Sequence, residues 1–287
     1  MGELVRADAP LRLAAELTDD DEIARAYETL LAAPRPRRRR PPRTGRRPPL
    51  VSAIVPCFRA HRFVRDTVGS LLAQTHPRME ILIVDDGSWA DDDEVLAELS
   101  ARLPVTVLHQ PIAGLGAARN FGIRQCRGRY ILPLDSDNMV EPEFVARCLA
   151  LLEARDELAF VTAWSRYIDE DGEPRSGRVD VGYQPFGNVG AANAESNVSG
   201  GAPAPALFEE EGFTYSEELT SYEDWHLYRE LQRAGRRGAV IPERLLRYRV
   251  RPDSMTNEIA IANRERIKAE IDARVRESEV AWTSSSA

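Results

Sequence analysis

Two aspartates one residue apart close an apolar run, Tyr130-Ile-Leu-Pro-Leu-Asp135-Ser-Asp137-Asn138. Carboxylate oxygens are hard ligands, and a pair of them that leaves open positions on the ion suits Mg2+ or Mn2+ bridging substrate phosphates. A short apolar run bounded by turn residues reads as a buried strand, and an open α/β sheet places its ligand crevice beyond the carboxyl ends of its strands. Asp135 and Asp137 then stand where ligands bind. The plainer alternative is a polar turn after a strand, because a D-x-D triplet is common by itself.

Three other stretches carry chemistry. Asp85-Asp86 ends a second apolar run and precedes Gly87-Ser88, so it is either a second set of ligand contacts or a tight D-G turn. Gly114-Leu-Gly116-Ala-Ala-Arg119-Asn120 is a glycine turn opening a helix, where backbone N–H groups and an arginine favour a phosphate; the alternative is that Arg119 caps a surface helix. Glu223-Asp224 lies in the first turn of a later helix, a position that also stabilises ordinary acids through the helix dipole.

The elements that must hold these groups alternate strand and helix from Leu50 onward, the pattern of a parallel sheet covered on both faces. Val51–Val55, Met79–Val84, Val105–Leu108, the run ending at Asp135 and Ala159–Trp164 are the expected strands. Between them, helices present Val64, Val68, Leu71 and Leu72, then Val95, Leu96, Leu99 and Leu103, then Gly114 to about Cys126, then Phe144, Val145, Cys148, Leu149 and Leu152. Later come a helix over Glu217–Ala234, a short strand at Ala239–Pro242 and a charged helix over Ile259–Val280 with Ile267, Ile271 and Val275 on one stripe. Ser176–Ala206, rich in Gly, Asn, Ala and Pro, is expected to be a mobile lid over the site.

The resulting organisation is a short helical segment at 1–33, an Arg/Pro-rich linker at 34–49, an α/β domain at 50–255 that carries these acids, and a helix with a tail at 256–287. Pro34–Pro49 holds eight arginines and no acid, so the net charge of −8 leaves the rest of the chain near −16. An acidic body excludes a basic nucleic-acid surface. Three scattered cysteines, Cys57, Cys126 and Cys148, have no zinc or redox spacing and point to a reducing, cytoplasmic setting. No run approaches the ~18 apolar residues of a membrane span, and the arginine run leaves peripheral membrane contact open. The single lysine is Lys268, so no P-loop exists. Gly114-x-Gly116 follows the third strand and has Arg119 in its sixth position, which argues against a dinucleotide-binding dehydrogenase.

Taken in order, Val51-Ser-Ala-Ile-Val-Pro56, Glu80-Ile-Leu-Ile-Val-Asp-Asp-Gly-Ser88, Gly116-Ala-Ala-Arg-Asn120, Asp135-Ser-Asp137 and Tyr222-Glu-Asp-Trp225 make the chain resemble a family 2 inverting glycosyltransferase over roughly residues 50 to 255. The resemblance implies an α/β fold of the GT-A type, a Rossmann-like, mostly parallel sheet flanked by helices. It also implies transfer of a sugar from a nucleotide-diphosphate donor, with UDP as the expected nucleotide, to a glycan, lipid-linked or small-molecule hydroxyl, with Mn2+ or Mg2+ as cofactor. By the same resemblance, Pro56, Phe58, Arg59 and Asp85 or Asp86 would hold the nucleotide base, and Arg119 the nucleotide or its diphosphate. Asp135 would contact ribose and metal, Asp137 the metal. Asp224 would be the base, with Glu223 as helper. Trp225 either stacks on a sugar or packs in the core, and His226, where similar sequences often carry an acid, is expected to be packed. Arg251 stands where relatives often have a histidine, so it removes a candidate third metal ligand and offers a partner for the diphosphate. The alternative is a catalytically degenerate domain that serves as a binding module in a glycan-assembly complex.

Overall fold

A computed structural model describes residues 47–60, 62–88, 90–155, 158–175, 208, 212–252, and 266–274 without 268 and 272. The expected first helix, nearly all of the Arg/Pro linker and the expected lid at 176–206 lie outside the described residues.

The order is β1 (Val51–Cys57), α1 (Val64–Leu72), β2 (Met79–Asp86), α2 (Ala90–Arg102), β3 (Thr106–Gln110), α3 (Leu115–Gln125), β4 (Tyr130–Pro133), β5 (Met139–Val140), α4 (Phe144–Ala154), β6 (Leu158–Ile168), α5 (Glu223–Arg233) and β7 (Arg237–Arg249). Four parallel strands form the main sheet in the order β3-β2-β1-β4. Every residue of β1 and β4 is buried, as expected of strands in a parallel sheet covered on both faces. The one hydroxyl inside β1, Ser52, is satisfied there: it donates to Glu80 and accepts the Gly128 N–H at 2.8 Å. One core lies between the sheet and α1, α2 and α4, and the second, smaller core between the sheet, α3 and α5. Leu72 departs from the expected apolar stripe of α1 and is 40% exposed, while Thr67 takes a buried position instead.

The strand expected at Ala159–Trp164 as part of the parallel sheet belongs instead to a second sheet, β5-β7-β6. β6 pairs in parallel with β7, and β5 pairs antiparallel with the far end of β7. The short strand expected at Ala239–Pro242 is in fact thirteen residues long. The pairing register jumps from Ile241 to Arg244, so Pro242 falls in a bulge, where its missing N–H costs no ladder bond. Four arginines in this strand also hid its alternation. The expected helix at Glu217–Ala234 begins only at Glu223, because Tyr222 has a left-handed backbone, φ 61°. Helical residues between 266 and 274 bury Ile267 and Ile271 against Leu219, Tyr222 and Trp225, so the C-terminal helix closes over the start of α5. Among the described residues no helix is long and apolar enough to cross a membrane.

Helix α3 lies close on the sheet. A Cβ on Gly122 would stand 2.5 Å from Ile54 Cγ2 and 2.9 Å from Val84 Cγ2. Gly122→Ala is therefore expected to destabilise the fold by about 1–3 kcal/mol through overpacking, read as a lowered midpoint in urea unfolding. An unchanged midpoint would show that α3 can lift off the sheet freely.

Candidate active site

β1 and β2 run side by side to their carboxyl ends, with Cys57 opposite Asp85. Pro56 near the end of β1, and Phe58 and Arg59 just beyond it, therefore lie beside the two acids that end β2. Phe58 is 42% exposed, and the Arg59 guanidinium lies 4.9 Å from its ring centre on a left-handed backbone, φ 53°. Asp86 is occupied by its own loop: Oδ1 accepts from Gln110 Nε2 and the Ala113 N–H, and Oδ2 from the Gly114 N–H, each at 2.8 Å. The N–H groups of Ala113 and Gly114, just before the helix, are therefore taken by Asp86, and only those from Leu115 onward are left at the helix start. Asp85 accepts the Ser88 N–H at 2.9 Å and meets His109 Nδ1 at 2.9 Å. Asp93 reaches the same place, and ligand atoms of Asp85, Asp93 and His109 all lie within 4.8 Å of one another. Among the described residues this is the group of three that could hold an ion; it stands at the end of β2, whereas Asp135 and Asp137 follow β4.

Asp135 and Asp137 follow β4, each ion-paired through one carboxylate oxygen. Asp135 Oδ1 accepts from Arg119 Nη2 at 2.6 Å, and Asp137 Oδ2 from Arg251 Nε at 2.9 Å. The loop between them is clamped. Asn138 donates its N–H to the Asp135 carbonyl at 3.0 Å, its own carbonyl accepts from Thr67 Oγ1 at 2.8 Å, and its Oδ1 accepts the Arg249 N–H at 2.9 Å. Arg249 is wholly buried; it donates to the carbonyls of Asp137, Asp169 and Glu170 and pairs with Asp66. Sequence reasoning missed Arg249 and Asn138. In an arginine-rich chain nothing marks a buried arginine, and the only available signal was its place two residues before Arg251.

Arg119 is neither a surface cap nor solvent-facing. It is 3% exposed, sits 5.1 Å over the Tyr215 ring, and bridges Asp135 to Glu223, while its Nε has no hydrogen-bond partner among the described residues. The rest of its motif secures the segment leading to α5. A Cβ on Gly116 would stand 2.2 Å from the Ser216 carbonyl oxygen; Asn120 Nδ2 donates to the Tyr215 carbonyl and to Glu217, both at 2.9 Å, and its Oδ1 accepts the Tyr215 N–H at 3.0 Å. Tyr222, in its left-handed conformation, then turns the chain so that Glu223 and Asp224 open α5 next to Arg119. Tyr215, another residue the sequence did not single out, shares this pocket.

The family model for glycosyl transferase family 2 matches residues 52–213. The chain belongs to this family. It is 39% identical over 130 residues to the chondroitin synthase of Escherichia coli, 45% of this chain and 19% of that protein. It is 34% identical over 127 residues to the hyaluronan synthase of Pasteurella multocida, 44% of this chain and 13% of that one. The chain thus spans a small part of the length of either synthase. Among solved structures it superposes on Staphylococcus aureus TarS 1-349 in complex with UDP, with a TM-score of 0.56 and 20% identity over 71% of this chain and 61% of that one. It also superposes on the mannosyltransferase PcManGT from Pyrobaculum calidifontis in complex with GDP-Man and Mn2+, with a TM-score of 0.58 and 20% identity over 87% of this chain and 68% of that one. These likenesses establish the GT-A fold.

In this family 2 chain, the acids of the site have uneven electrostatics. Burial, the neighbouring Glu223 charge and, more weakly, Asp135 push the Asp224 carboxyl up to about 7 against the pull of Arg119. Burial and the charge of Asp135 push Asp137 up to about 6, only partly offset by Arg251. Each acid has one guanidinium beside it, yet burial and the repulsion between the two carboxylates outweigh Arg251 at Asp137, a condition a divalent ion would relieve. Trp225 is 5% exposed in a cluster with Leu219, Tyr222, Ile267 and Ile271, which supports the packing reading. His226 is half-buried, its Nδ1 has no hydrogen-bond partner among the described residues, and burial depresses its basicity. Arg119→Met would leave Glu223 buried without its cation. A loss of about 3–5 kcal/mol is expected in urea unfolding, and a loss below about 1 kcal/mol would show that the ion pairs do not hold the two halves of the site together.

Proposed function

We propose that this glycosyltransferase moves a sugar from a nucleoside diphosphate donor to a hydroxyl acceptor with inversion at the anomeric carbon. The carrying observation is the junction of two acid pairs, Asp135/Asp137 and Glu223/Asp224, through the buried Arg119. The relatives with bound UDP and with GDP-Man and Mn2+ support a nucleotide-sugar donor and a divalent ion. On this reading Phe58, with Pro56 and Arg59 beside it, offers a surface for the nucleotide base, and Asp85 accepts from a ring N–H in place of its bond to the exposed His109. Asp86 acts at one remove by shaping the loop from Gln110 to Gly114. Arg119 holds Asp135 and Glu223 in place and adds its positive charge beneath the donor.

Asp135 and Asp137 would hold Mg2+ or Mn2+, which when bound offsets the charge gathering on the departing diphosphate. Asp224 takes the proton of the acceptor hydroxyl as the new O–C1 bond forms and the bond from C1 to the phosphate oxygen breaks on the opposite face. Its raised pKa suits that task, because a base poised near neutrality combines the deprotonated form with a useful proton affinity. The partner acceptor is a hydroxyl of a glycan, a lipid-linked saccharide or a small molecule, and the domain at 50–255 is the catalytic unit.

Asp137→Asn is expected to stay folded and to lose Mn2+-dependent UDP binding in calorimetry; unchanged affinity would remove Asp137 from the donor site. Asp224→Asn should still bind UDP but transfer ~10²–10⁴-fold more slowly, the usual contribution of a positioned base. Because the carboxyl must be ionised to accept a proton and is pushed up to about 7, kcat/KM should climb as pH rises through that value. A flat profile between pH 5.5 and 8, roughly one and a half units below and one above, would point to another base.

A further inference from the structure

Two guanidinium groups reach Asp137 from the end of β7. Arg249 donates from Nε to the Asp137 carbonyl oxygen at 2.9 Å, and Arg251 from Nε to carboxylate Oδ2, also at 2.9 Å. Both lie against the ring of Phe63, with their Cζ atoms 4.7 and 5.2 Å from its centre. Their situations differ. Arg249 is wholly enclosed and spends its other N–H groups on Asp169, Glu170 and Asp66, so it fixes the loop. Arg251 keeps 19% of its side chain accessible and addresses the carboxylate itself.

A guanidinium stays charged at every working pH, and it occupies an oxygen that a hard cation would also seek. The two cations therefore repel each other at one carboxylate. A guanidinium also matches the geometry of phosphate oxygens through paired N–H donors. Resting on the nucleotide-sugar reading above, we propose that Arg251 is a built-in cation of the donor site: it competes with the divalent ion for Asp137 and supplies part of the positive charge for the donor diphosphate. Nucleotide binding then has a share that needs no metal, carried by a residue of the chain.

The test uses the full chain, with Mn2+ binding followed by electron paramagnetic resonance and UDP and GDP binding by calorimetry, in Mn2+ and in EDTA. Circular dichroism first checks that each variant is folded. Removing one unit charge beside a divalent ion should tighten binding by at least about tenfold, since a factor of ten is only 1.4 kcal/mol. Arg251→Gln is thus expected to bind Mn2+ about tenfold more tightly and to lose most of the nucleotide affinity that survives EDTA, whereas Arg251→Lys keeps the wild-type direction on both counts. Unchanged or weaker Mn2+ binding in Arg251→Gln overturns the competition. The wild-type chain gives a second reading that needs no variant: UDP or GDP must still bind in EDTA, and complete loss there while Mn2+ restores binding overturns the diphosphate role. If neither nucleotide binds the wild type under any condition, the nucleotide-sugar reading fails and the diphosphate role falls with it, while tighter Mn2+ binding in Arg251→Gln still upholds the competition. Absence of Mn2+ binding in both proteins overturns it.

Discussion

A buried arginine with a carboxylate on either side is the constraint on which the site depends. Removing a guanidinium from water is costly unless each charge is met, and here Arg119 is met by Asp135 from the loop after β4 and by Glu223 from the first turn of α5. The two acids come from segments nearly ninety residues apart, so neither can hold its place without the other half of the domain. The arginine thereby fixes the distance between the loop after β4 and the first turn of α5. Tyr215 covers its face and completes the enclosure.

Around that cation, local irregularities of the chain serve placement. The glycine turn before α3 is bound by Asp86, Gly116 permits the 215–217 segment to approach, and Asn120 holds that segment by its backbone. Tyr222 pays in backbone strain for turning Glu223 and Asp224 toward Arg119. Electrostatics then separates the acids by role. Glu223 and Asp135 share the charge of Arg119, whereas Asp224, buried beside a second carboxylate and without an ion-pair partner of its own among the described residues, is left proton-hungry.

The comparisons place this arrangement in glycosyl transferase family 2 on a GT-A scaffold, with relatives that are far longer than the chain. The D-x-D neighbourhood is where this chain shows its own character. Three arginines, Arg119, Arg249 and Arg251, touch the two aspartates or the loop between them, so the site holds much of its positive charge in side chains.

The sequence by itself determined the parallel sheet, the order of its elements and the acids at the strand ends, because buried strands and amphipathic helices leave periodic apolar patterns and turn residues mark where strands stop. It also sufficed for the family resemblance, through five short segments in order. It was silent wherever function arose from partners distant along the chain. Arg119 read as a ligand contact with a surface cap as the alternative, and only the tertiary fold closed Asp135 and Glu223 around it. Arg249 and Arg251 sat among many arginines, and β7 hid behind Pro242 until its bulge and its pairing with β6 were visible. The difference has one physical cause: periodicity records burial against the nearest layer, whereas charge compensation across the site depends on three-dimensional distance, which spacing along the chain does not encode.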